Sequence, residues 1–364
     1  MPSSVISRRS SVYLLIILKF FRLYNINIVN FSTYAQYKER KKTTQATMIQ
    51  MKLLTSYLAT VLAVSTAMAQ CTNSSNSSQQ LKWDTHVHLF SPSRFPLSNT
   101  RSYTPKAATP AELLASSPGE SFLLVQASVE NGTEGLLAHL QDLQSELKPG
   151  NVVRGEIIYG ADSNYSEAEL KNFHDAGVRV LRGYARTSND TQATADEMKR
   201  LLEGSMGDVA RKYGWIVSFQ LAPAVWTLLE DFPFKEKLPG IPVIAEHLGS
   251  VNVPLNTDSQ RGLQSLVKML EDEVLTVKIN ALHRRGLRGN EEAMEEVIKQ
   301  LIEAGPQRLI WGSDWPHVNS TATGLKPGDF LKVNETAELK WLEGCMPKEV
   351  FSDMLYNTPT KLFL

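Results

Sequence analysis

The stretch VVRGEIIYGADSNYSEAELKNFHDAGVRVLRGYA, residues 152–185, decides the fold. It begins and ends with apolar runs of strand length. Between them, Ser166 and Glu169 have the spacing of a helix capping box, and Gly177 is a residue that commonly ends a helix. The stretch therefore predicts a strand, a helix and a second strand in succession.

The same strand-then-helix unit repeats along the chain. Buried parallel strands read as nearly continuous apolar runs, and eight such runs precede helical patterns. They are LKWDTHVHLF (81–90), SFLLVQAS (121–128), VVRGEIIYG (152–160), VRVLRGYA (178–185), WIVSFQLA (215–222), IPVIAEHLG (241–249), LTVKINALHRR (275–285) and RLIWGSDWPHV (308–318). Eight units in this length predict an α/β fold, a single-domain (β/α)8 TIM barrel over residues 81–364. A doubly wound open sheet is the alternative, but a glycine-rich phosphate turn is missing after the early strands.

The N-terminal part reads as a targeting segment. MKLLTSYLATVLAVSTAMA, residues 51–69, has a lysine, a short apolar stretch and an Ala-Met-Ala end, which predicts a signal peptide. Residues 1–50 are interpreted as a non-native or leader extension. Translation starting at Met48 or Met51 would explain them, and a membrane anchor around 12–21 is the alternative. Residues 70–80 form a Ser/Asn-rich linker.

The predicted leader implies a secreted, extracellular glycoprotein that has no membrane contact after leader removal. Seven Asn-x-Ser/Thr triplets that follow the leader are compatible with that route. They begin at Asn73, Asn76, Asn131, Asn164, Asn189, Asn319 and Asn334. The two cysteines, Cys71 and Cys345, permit one disulfide in an oxidising compartment, and two unpaired thiols are the alternative.

The charge balance excludes one class of partner. Eight of the Lys and Arg residues and one Glu lie in residues 1–50, and Lys52 lies in the leader. Residues 70–364 therefore keep 29 of the 38 basic and 37 of the 38 acidic residues, a net charge of −8. Such a chain repels a polyanion, so nucleic acid is not expected as a partner.

In a TIM barrel the reactive groups lie at the carboxyl ends of the strands. His86 and His88 are two residues apart, so they share one face of the first strand. The predicted strand ends carry, in order, His86 and His88; Gln126 and Ser128; Arg182 and Arg186; Gln220; Glu246 and His247; His283, Arg284 and Arg285; and Asp314 and His317. Three imidazoles, a carboxylate and several guanidinium groups are thus expected around one mouth.

Each of these residues also has a purely structural explanation. A single histidine at a strand end is more often a hydrogen-bonded structural residue than a ligand, and Asp314 in GSDWP suits a turn. The arginines suit ion pairs with Glu246 or Asp162. The combination of these residue types at matching ends of strands one, six and eight nevertheless favours an active site.

The motifs DTHVHLF, EHLG and RLIWGSDWPH resemble the amidohydrolase superfamily, within it the branch of the 2-pyrone-4,6-dicarboxylate lactonases. RSYTPKAATPAELLA and LLVQAS are similar to that branch too, so the resemblance runs from about residue 82 to 364. It implies a (β/α)8 barrel in which Asp314 activates the attacking water. His86, His88 and His247 then either bind a divalent metal or polarise the scissile carbonyl without one.

The resemblance also implies a substrate site and limits the cofactor. Residues that match those holding the substrate carboxylates are Tyr103, Ser128, Arg182, Arg186 and Arg284. Two-metal relatives use a carboxylated lysine on strand four and a histidine on strand five, where this chain has arginines and Gln220. The expectation is no cofactor or one zinc or manganese ion, held by His86, His88, His247 and Asp314. His283 stands where the branch has a tyrosine.

The residues point to one reaction class. An aspartate with an ordinary pKa near 4 is ionised and accepts a proton from water, imidazoles or a metal stabilise an oxyanion, and arginine forks match carboxylates. We therefore expect a secreted hydrolase that opens a lactone or related small anionic organic substrate. The alternatives are a metal-dependent decarboxylase of an aromatic or unsaturated acid and a non-catalytic ligand-binding barrel. A glycosidase would have to use Glu246 and Asp314 as its carboxylate pair.

Overall fold

The computed structural model of the chain describes residues 81–183, 190–320 and 325–364. Each predicted apolar run contains one strand of the structure. The strands are β1 (Trp83–Val87), β2 (Ser121–Val125), β3 (Val153–Tyr159), β4 (Val178–Gly183), β5 (Ile216–Phe219), β6 (Val243–Ala245), β7 (Thr276–Asn280) and β8 (Leu309–Gly312). They are all parallel and lie side by side in chain order, from β1 to β8.

Helices separate the strands, as the repeat predicts. They are α1 (Pro110–Ser116), α2 (Glu134–Glu146), α3 (Glu167–Asp175), α4 (Thr191–Glu203), α5 (Ser205–Tyr213), α6 (Pro223–Leu229), α7 (Phe234–Lys237), α8 (Thr257–Glu271), α9 (Glu291–Ala304), α10 (Glu335–Gly344), α11 (Lys348–Ser352) and α12 (Thr358–Phe363). Short 3-10 turns follow β6 and β7, at His247–Ser250 and Leu282–Arg284, and a π-helical turn, Asp353–Asn357, links the last two helices. The predicted (β/α)8 barrel is confirmed.

Local signals explain where the helices begin and break. Thr109 and Ser166 cap α1 and α3 through reciprocal bonds with glutamates three residues later, so the predicted capping box is present. The helical pattern of residues 195–214 predicts one helix, but the structure has two. Gly204 lies between α4 and α5 with φ −110° and ψ −130°, which is not helical. A Cβ at Gly207 would lie 2.0 Å from the Leu202 carbonyl oxygen, so this tight break requires glycine there.

The sheet closes on itself at the carboxyl end of the strands. The backbone N–H of Asp314 donates to the His86 carbonyl oxygen at 3.0 Å, and the N–H of His88 donates to the Trp315 carbonyl oxygen at 2.9 Å. The Thr85 hydroxyl adds a bond to the Trp311 carbonyl oxygen at 2.7 Å. These bonds bring the chain after β8 directly against the end of β1.

The barrel interior is apolar in its middle layer and polar towards the carboxyl ends of the strands. A buried layer includes Val180, Ile216 and Ile244 on three neighbouring strands. Side chains two residues further along a strand point to the same side, so this layer places Arg182, Ser218 and Glu246 above it. All three polar side chains are buried. The strand period therefore places charged groups inside the barrel, near the carboxyl ends of the strands.

Some expectations lie outside the described residues. They are the assignments for residues 1–50, 51–69 and 70–80, the pairing of Cys71, the glycosylation triplets at Asn73, Asn76 and Asn189, and the site role of Arg186. Along the described part of the chain, no helix combines the length and apolarity that crossing a bilayer requires.

Candidate active site

The end of β1 and the segment after β8 form the centre of the site. The pairing of β1 with β2 shifts register between Asp84 and Val87, at the point where the two histidines begin. The buried carboxylate of Asp84 accepts the Ser313 backbone N–H and the Ser117 hydroxyl, both at 2.9 Å. Asp84 thereby fixes the backbone immediately before Asp314.

The three predicted imidazoles and the predicted aspartate lie together. The ring of His86 is 5.0 Å from that of His88 and 4.6 Å from that of His247, measured between centroids. Nε2 of His86 lies 3.7 Å from Oδ1 of Asp314, and it has no hydrogen-bond partner among the described residues. The four side chains come from strands one, six and eight, so the expected convergence at the barrel mouth is present.

The backbone supports these positions in an unusual conformation. His247 has φ 50°, Asp314 has φ 67° and His317 has φ 63°, all in the left-handed region. For residues with a side chain this region costs on the order of 1–3 kcal/mol each, and such residues concentrate at functional sites. The surrounding hydrogen bonds, including the one between Asp314 and His86 of β1, hold this conformation despite that cost.

The imidazoles are held in the neutral form. Burial lowers the pKa of His86 and of His247, and it lowers the pKa of His88 to about 3. Nδ1 of His88 lies 2.7 Å from the Val125 carbonyl oxygen, which accepts only, so Nδ1 carries the proton. The lone pair of His88 is therefore on Nε2.

Asp314 is ionised and bound to an arginine. Arg284 donates from Nε to Oδ2 of Asp314 at 2.7 Å and from a terminal nitrogen to the Val318 carbonyl oxygen at 2.5 Å. Burial alone would raise the pKa of Asp314, but the adjoining histidines and the guanidinium of Arg284 outweigh it and hold the pKa well below its ordinary value. The carboxylate is therefore available as a proton acceptor, and Arg284 weakens its basicity.

The other predicted substrate-binding residues surround the same centre. The Tyr103 hydroxyl bonds to Ser128, and the charges of Arg182, Asp314 and Arg284 all act on it. Arg182 is buried and donates to Oε2 of Glu246 and to Oε1 of Gln220, each at 2.7 Å. The structure thus places Arg182 in an ion pair with Glu246 inside the barrel. Its contact with a substrate stays a prediction.

A buried ion network was missed in the sequence. Lys278, which is fully buried, lies 3.0 Å from Oε1 of Glu246, 3.6 Å from Oε2 of Glu156 and 3.4 Å from Nδ1 of His86. Burial and the nearby charge of Glu246 raise the pKa of Glu156 to about 7. The signal was present: a lysine and a glutamate interrupt apolar runs, LTVKINA and VVRGEIIYG, that are predicted to be buried.

A second polar group lies on the far side of Asp314 and was only partly anticipated. His283, which is 12% exposed, has Nε2 3.9 Å from Oδ2 of Asp314 and Nδ1 4.0 Å from Oε1 of Glu338. Neither ring nitrogen has a hydrogen-bond partner within the described ranges. The ring of His317 lies 5.1 Å from that of His283, and its Nε2 lies 3.5 Å from Oε1 of Glu335. Burial raises the pKa of Glu338 to about 7 and that of Glu335 to about 8.

Two groups of described residues have ligand atoms close enough for a metal ion, all within 4.8 Å of one another. One is His86, Glu246 and His247, and the other is His86, His88 and Asp314. The ammonium of Lys278 lies 3.0 Å from Glu246 and 3.4 Å from His86, so the first group already contains a cation and does not fit a metal.

The second group fits a single divalent ion by its donor chemistry. His86 offers an unpartnered Nε2, His88 a lone pair on Nε2 and Asp314 a carboxylate oxygen, a set that suits zinc or manganese. His247, the fourth predicted ligand, falls in the other group. The chain thus supplies three ligands at the place where four were predicted.

A large cleft elsewhere is not part of this site. It measures about 940 Å³ and lies at the amino end of the strands, lined by residues such as Val243, Thr276 and Arg308. None of the imidazoles at the barrel mouth borders it. Catalytic groups of a TIM barrel lie at the opposite end.

Comparison with known proteins finds hydrolases of similar sequence. The chain is 28% identical over 281 residues to 2-pyrone-4,6-dicarboxylate hydrolase of Comamonas testosteroni, covering 71% of this chain and 85% of that protein. It is 24% identical over 292 residues to 4-sulfomuconolactone hydrolase of Hydrogenophaga intermedia, covering 77% and 88%.

Solved structures share the fold. A protein of Agrobacterium tumefaciens has a TM-score of 0.59 at 18% identity, covering 78% of this chain and 96% of its own. A zinc-bound amidohydrolase of Burkholderia multivorans has a TM-score of 0.56 at 16% identity, covering 78% and 99%. The model of the family described as amidohydrolase matches residues 83–364. The chain is therefore a hydrolase that belongs to the amidohydrolase family.

Proposed function

We propose that the protein hydrolyses a small lactone that carries carboxylate groups, with Asp314 as the general base. The observation that carries the proposal is the environment of Asp314: one oxygen faces the imidazole of His86 at 3.7 Å and the other accepts from Arg284 at 2.7 Å. A carboxylate base, neutral imidazoles and an arginine that pairs with a carboxylate thus lie together at the barrel mouth. Two relatives whose names describe hydrolysis of anionic lactones support the same substrate class.

The proposed reaction uses these groups in order. Asp314 accepts a proton from water as the water oxygen attacks the lactone carbonyl carbon, and the carbonyl oxygen becomes negatively charged. An imidazole N–H stabilises that oxyanion, and one such donor is worth about 10²–10³-fold in rate. The ring C–O bond then breaks, and the leaving oxygen takes the proton from Asp314. The product is an open-chain acid with one added water.

Recognition of the substrate would use the groups around the base. Arg284 presents a planar fork that suits a carboxylate, and Tyr103 with Ser128 adds hydroxyl donors beside it. A substrate carboxylate that binds Arg284 competes with Asp314 for the same guanidinium. Binding therefore weakens the contact that lowers the basicity of Asp314, so an anionic substrate assists its own hydrolysis.

A metal has a defined place in this proposal. A zinc or manganese ion bound by His86, His88 and Asp314 would supply Lewis-acid polarisation of the carbonyl. We propose the metal-free mode, because the ammonium of Lys278 and the guanidinium groups of Arg182 and Arg284 already provide positive charge at the site. The roles of the described residues in binding and proton transfer do not depend on an ion.

Substrate turnover tests the proposed function. Purified chain is incubated with 2-pyrone-4,6-dicarboxylate, a sulfonated muconolactone, uncharged lactones and aromatic carboxylic acids, and products are identified by mass spectrometry. We expect ring opening with addition of one water, and preference for the anionic lactones. Release of carbon dioxide without uptake of water would instead identify a decarboxylase. Binding without turnover of any compound would identify a ligand-binding barrel.

We further propose that the protein is secreted and glycosylated. The sequon asparagines Asn131, Asn164 and Asn334 are exposed, which is compatible with modification. Production in a eukaryotic secretory host tests this: the medium should contain a chain that starts after Ala69 and loses mass on treatment with an N-glycosidase. Retention of the intact chain inside the cells would contradict it.

A further inference from the structure

Asn280 makes two contacts with one histidine of the site. It is the last residue of β7 and is buried, and its side chain faces the segment after β6. Its Oδ1 accepts the backbone N–H of His247 at 2.7 Å, and its Nδ2 lies 2.7 Å from Nδ1 of the His247 ring. The amide therefore holds the main chain and the side chain of His247 together.

The first contact fixes the orientation of the amide. A backbone N–H only donates, so the atom of Asn280 that faces it must be the oxygen. The NH2 group then points at Nδ1 of the His247 ring. In a flipped amide the NH2 group of Asn280 would face the backbone N–H of His247. Two buried donors would then lie against each other, which is strongly unfavourable.

The second contact fixes the proton of the ring. Because an NH2 group donates, Nδ1 of His247 must offer its lone pair. A ring whose Nδ1 accepts a hydrogen bond is a neutral imidazole, so its one proton is on Nε2. The position of a histidine proton commonly follows from the bond made by the other ring nitrogen, and here the structure specifies that bond.

We infer that Asn280 is a positioning residue that keeps His247 as the Nε2–H tautomer, so that His247 presents a hydrogen-bond donor to the site rather than a metal-ligating lone pair. The inference rests on the proposed hydrolytic function where it assigns that donor to the oxyanion.

His88 provides an internal comparison. Its Nδ1 donates to the Val125 carbonyl oxygen, which leaves a lone pair on Nε2, the arrangement that a metal ligand requires. His247 has the opposite arrangement, because its partner is a donor. Two histidines of one site are thus prepared for different tasks by the groups behind them, a carbonyl in one case and an amide NH2 in the other.

The variant Asn280→Asp reverses the tautomer with little change of shape. An aspartate oxygen still accepts the His247 backbone N–H, but its second oxygen accepts from the ring instead of donating to it. Nδ1 then carries the proton, and Nε2 of the neutral ring has the lone pair. Asn256→Asp is the matched control, since Asn256 caps α8 through its oxygen and aspartate caps equally well.

The test reads the tautomer directly. Proteins labelled with ¹⁵N-histidine are compared by two-bond ¹H–¹⁵N correlation spectra, with His247 assigned through His247→Gln. In the wild type and in the control Asn256→Asp we expect an unprotonated Nδ1 and a protonated Nε2 for His247. In Asn280→Asp we expect the reverse. A protonated Nδ1 in the wild type would overturn the inference, whatever the activity.

Kinetics and zinc binding complete the test. Asn280→Asp should lower kcat by about 10²–10³-fold with KM nearly unchanged, because the oxyanion exists only in the transition state. It should also bind zinc at least about 10-fold more tightly, since the group behind a histidine commonly changes metal affinity by 10–100-fold. Unchanged kcat together with unchanged zinc affinity would refute the positioning role. The expected wild-type tautomer in a chain that opens no lactone would refute the proposed function alone.

Discussion

Arg284 donates from Nε to Oδ2 of Asp314 at 2.7 Å, so the proposed base is paired with a group that is also expected to bind substrate. The pairing links two properties that are usually separate, the basicity of the carboxylate and the affinity for an anion. It arises because the turn Leu282–Arg284 after β7 lies beside the segment after β8.

Replacing Arg284 should change the pH dependence as well as the affinity. The guanidinium favours the ionised form of Asp314, so Arg284→Gln should raise the pKa of this carboxyl, and burial adds to the rise. Activity requires ionised Asp314, so the acid limb of the kcat/KM profile should move to higher pH. KM for an anionic lactone should increase as well. An acid limb that stays in place would show that Arg284 does not control the base.

Lys278 should be required for stability. It neutralises Glu246 and Glu156 inside the barrel, and removing one partner of a buried ion pair costs about 3–5 kcal/mol. Lys278→Met should lower the free energy of unfolding by that amount in a urea titration. The matched control is Lys299→Met: Lys299 pairs with Glu295 on the surface, where solvent screens the pair, so its loss should have a far smaller effect. Equal effects of the two variants would contradict the role of the network.

His283 should help to set the substrate range. Its two ring nitrogens lie between Asp314 and Glu338 without a hydrogen-bond partner in the described parts of the chain, so they are available to a substrate. His283→Tyr introduces the residue that similar lactonases have and should change the ratio of kcat/KM between two anionic lactones about 10-fold or more. His283→Phe keeps the ring shape and removes both nitrogens. If both variants keep the wild-type ratio, His283 does not contact the substrate.

Removal of metal should leave the activity in place. The proposed mode uses neutral imidazoles and the charges of Lys278 and Arg284. Chain that is treated with a chelator and dialysed should keep its kcat within about 2-fold, with metal content checked by mass spectrometry. Loss of activity that zinc or manganese restores would contradict this mode and favour an ion bound by His86, His88 and Asp314.

Much of the fold was predictable because its signals are local. The signals for each strand and helix lie within one short stretch of sequence, as in residues 152–185. A chain with eight such units is compatible with only a few α/β folds. The positions of His86, His88, His247 and Asp314 follow from the rule that strand ends meet at one mouth of the barrel.

The partners of these residues were not predictable in the same way. The pairing of Arg284 with Asp314 depends on a turn that begins at Ala281 in a left-handed conformation, with φ 54°. The contact of Lys278 with Glu156 and Glu246 depends on which interior positions face each other across the barrel. The residue pattern of one strand does not show which residues of the other strands lie opposite it. In the sequence these charged residues therefore appear only as interruptions of apolar runs.

The replacement of Asp314 by asparagine tests the central claim most directly. The amide keeps the size and an oxygen for Arg284 but cannot accept a proton from water, and general bases contribute about 10²–10⁴-fold in rate. Hydrolysis of the preferred anionic lactone should fall by about that factor, while the Kd of the ring-opened product, measured by calorimetry, stays within a few-fold. The surface variant Asp142→Asn should change neither value. Retained hydrolysis in Asp314→Asn, or equal loss of hydrolysis and binding, would contradict the role of Asp314 as the base.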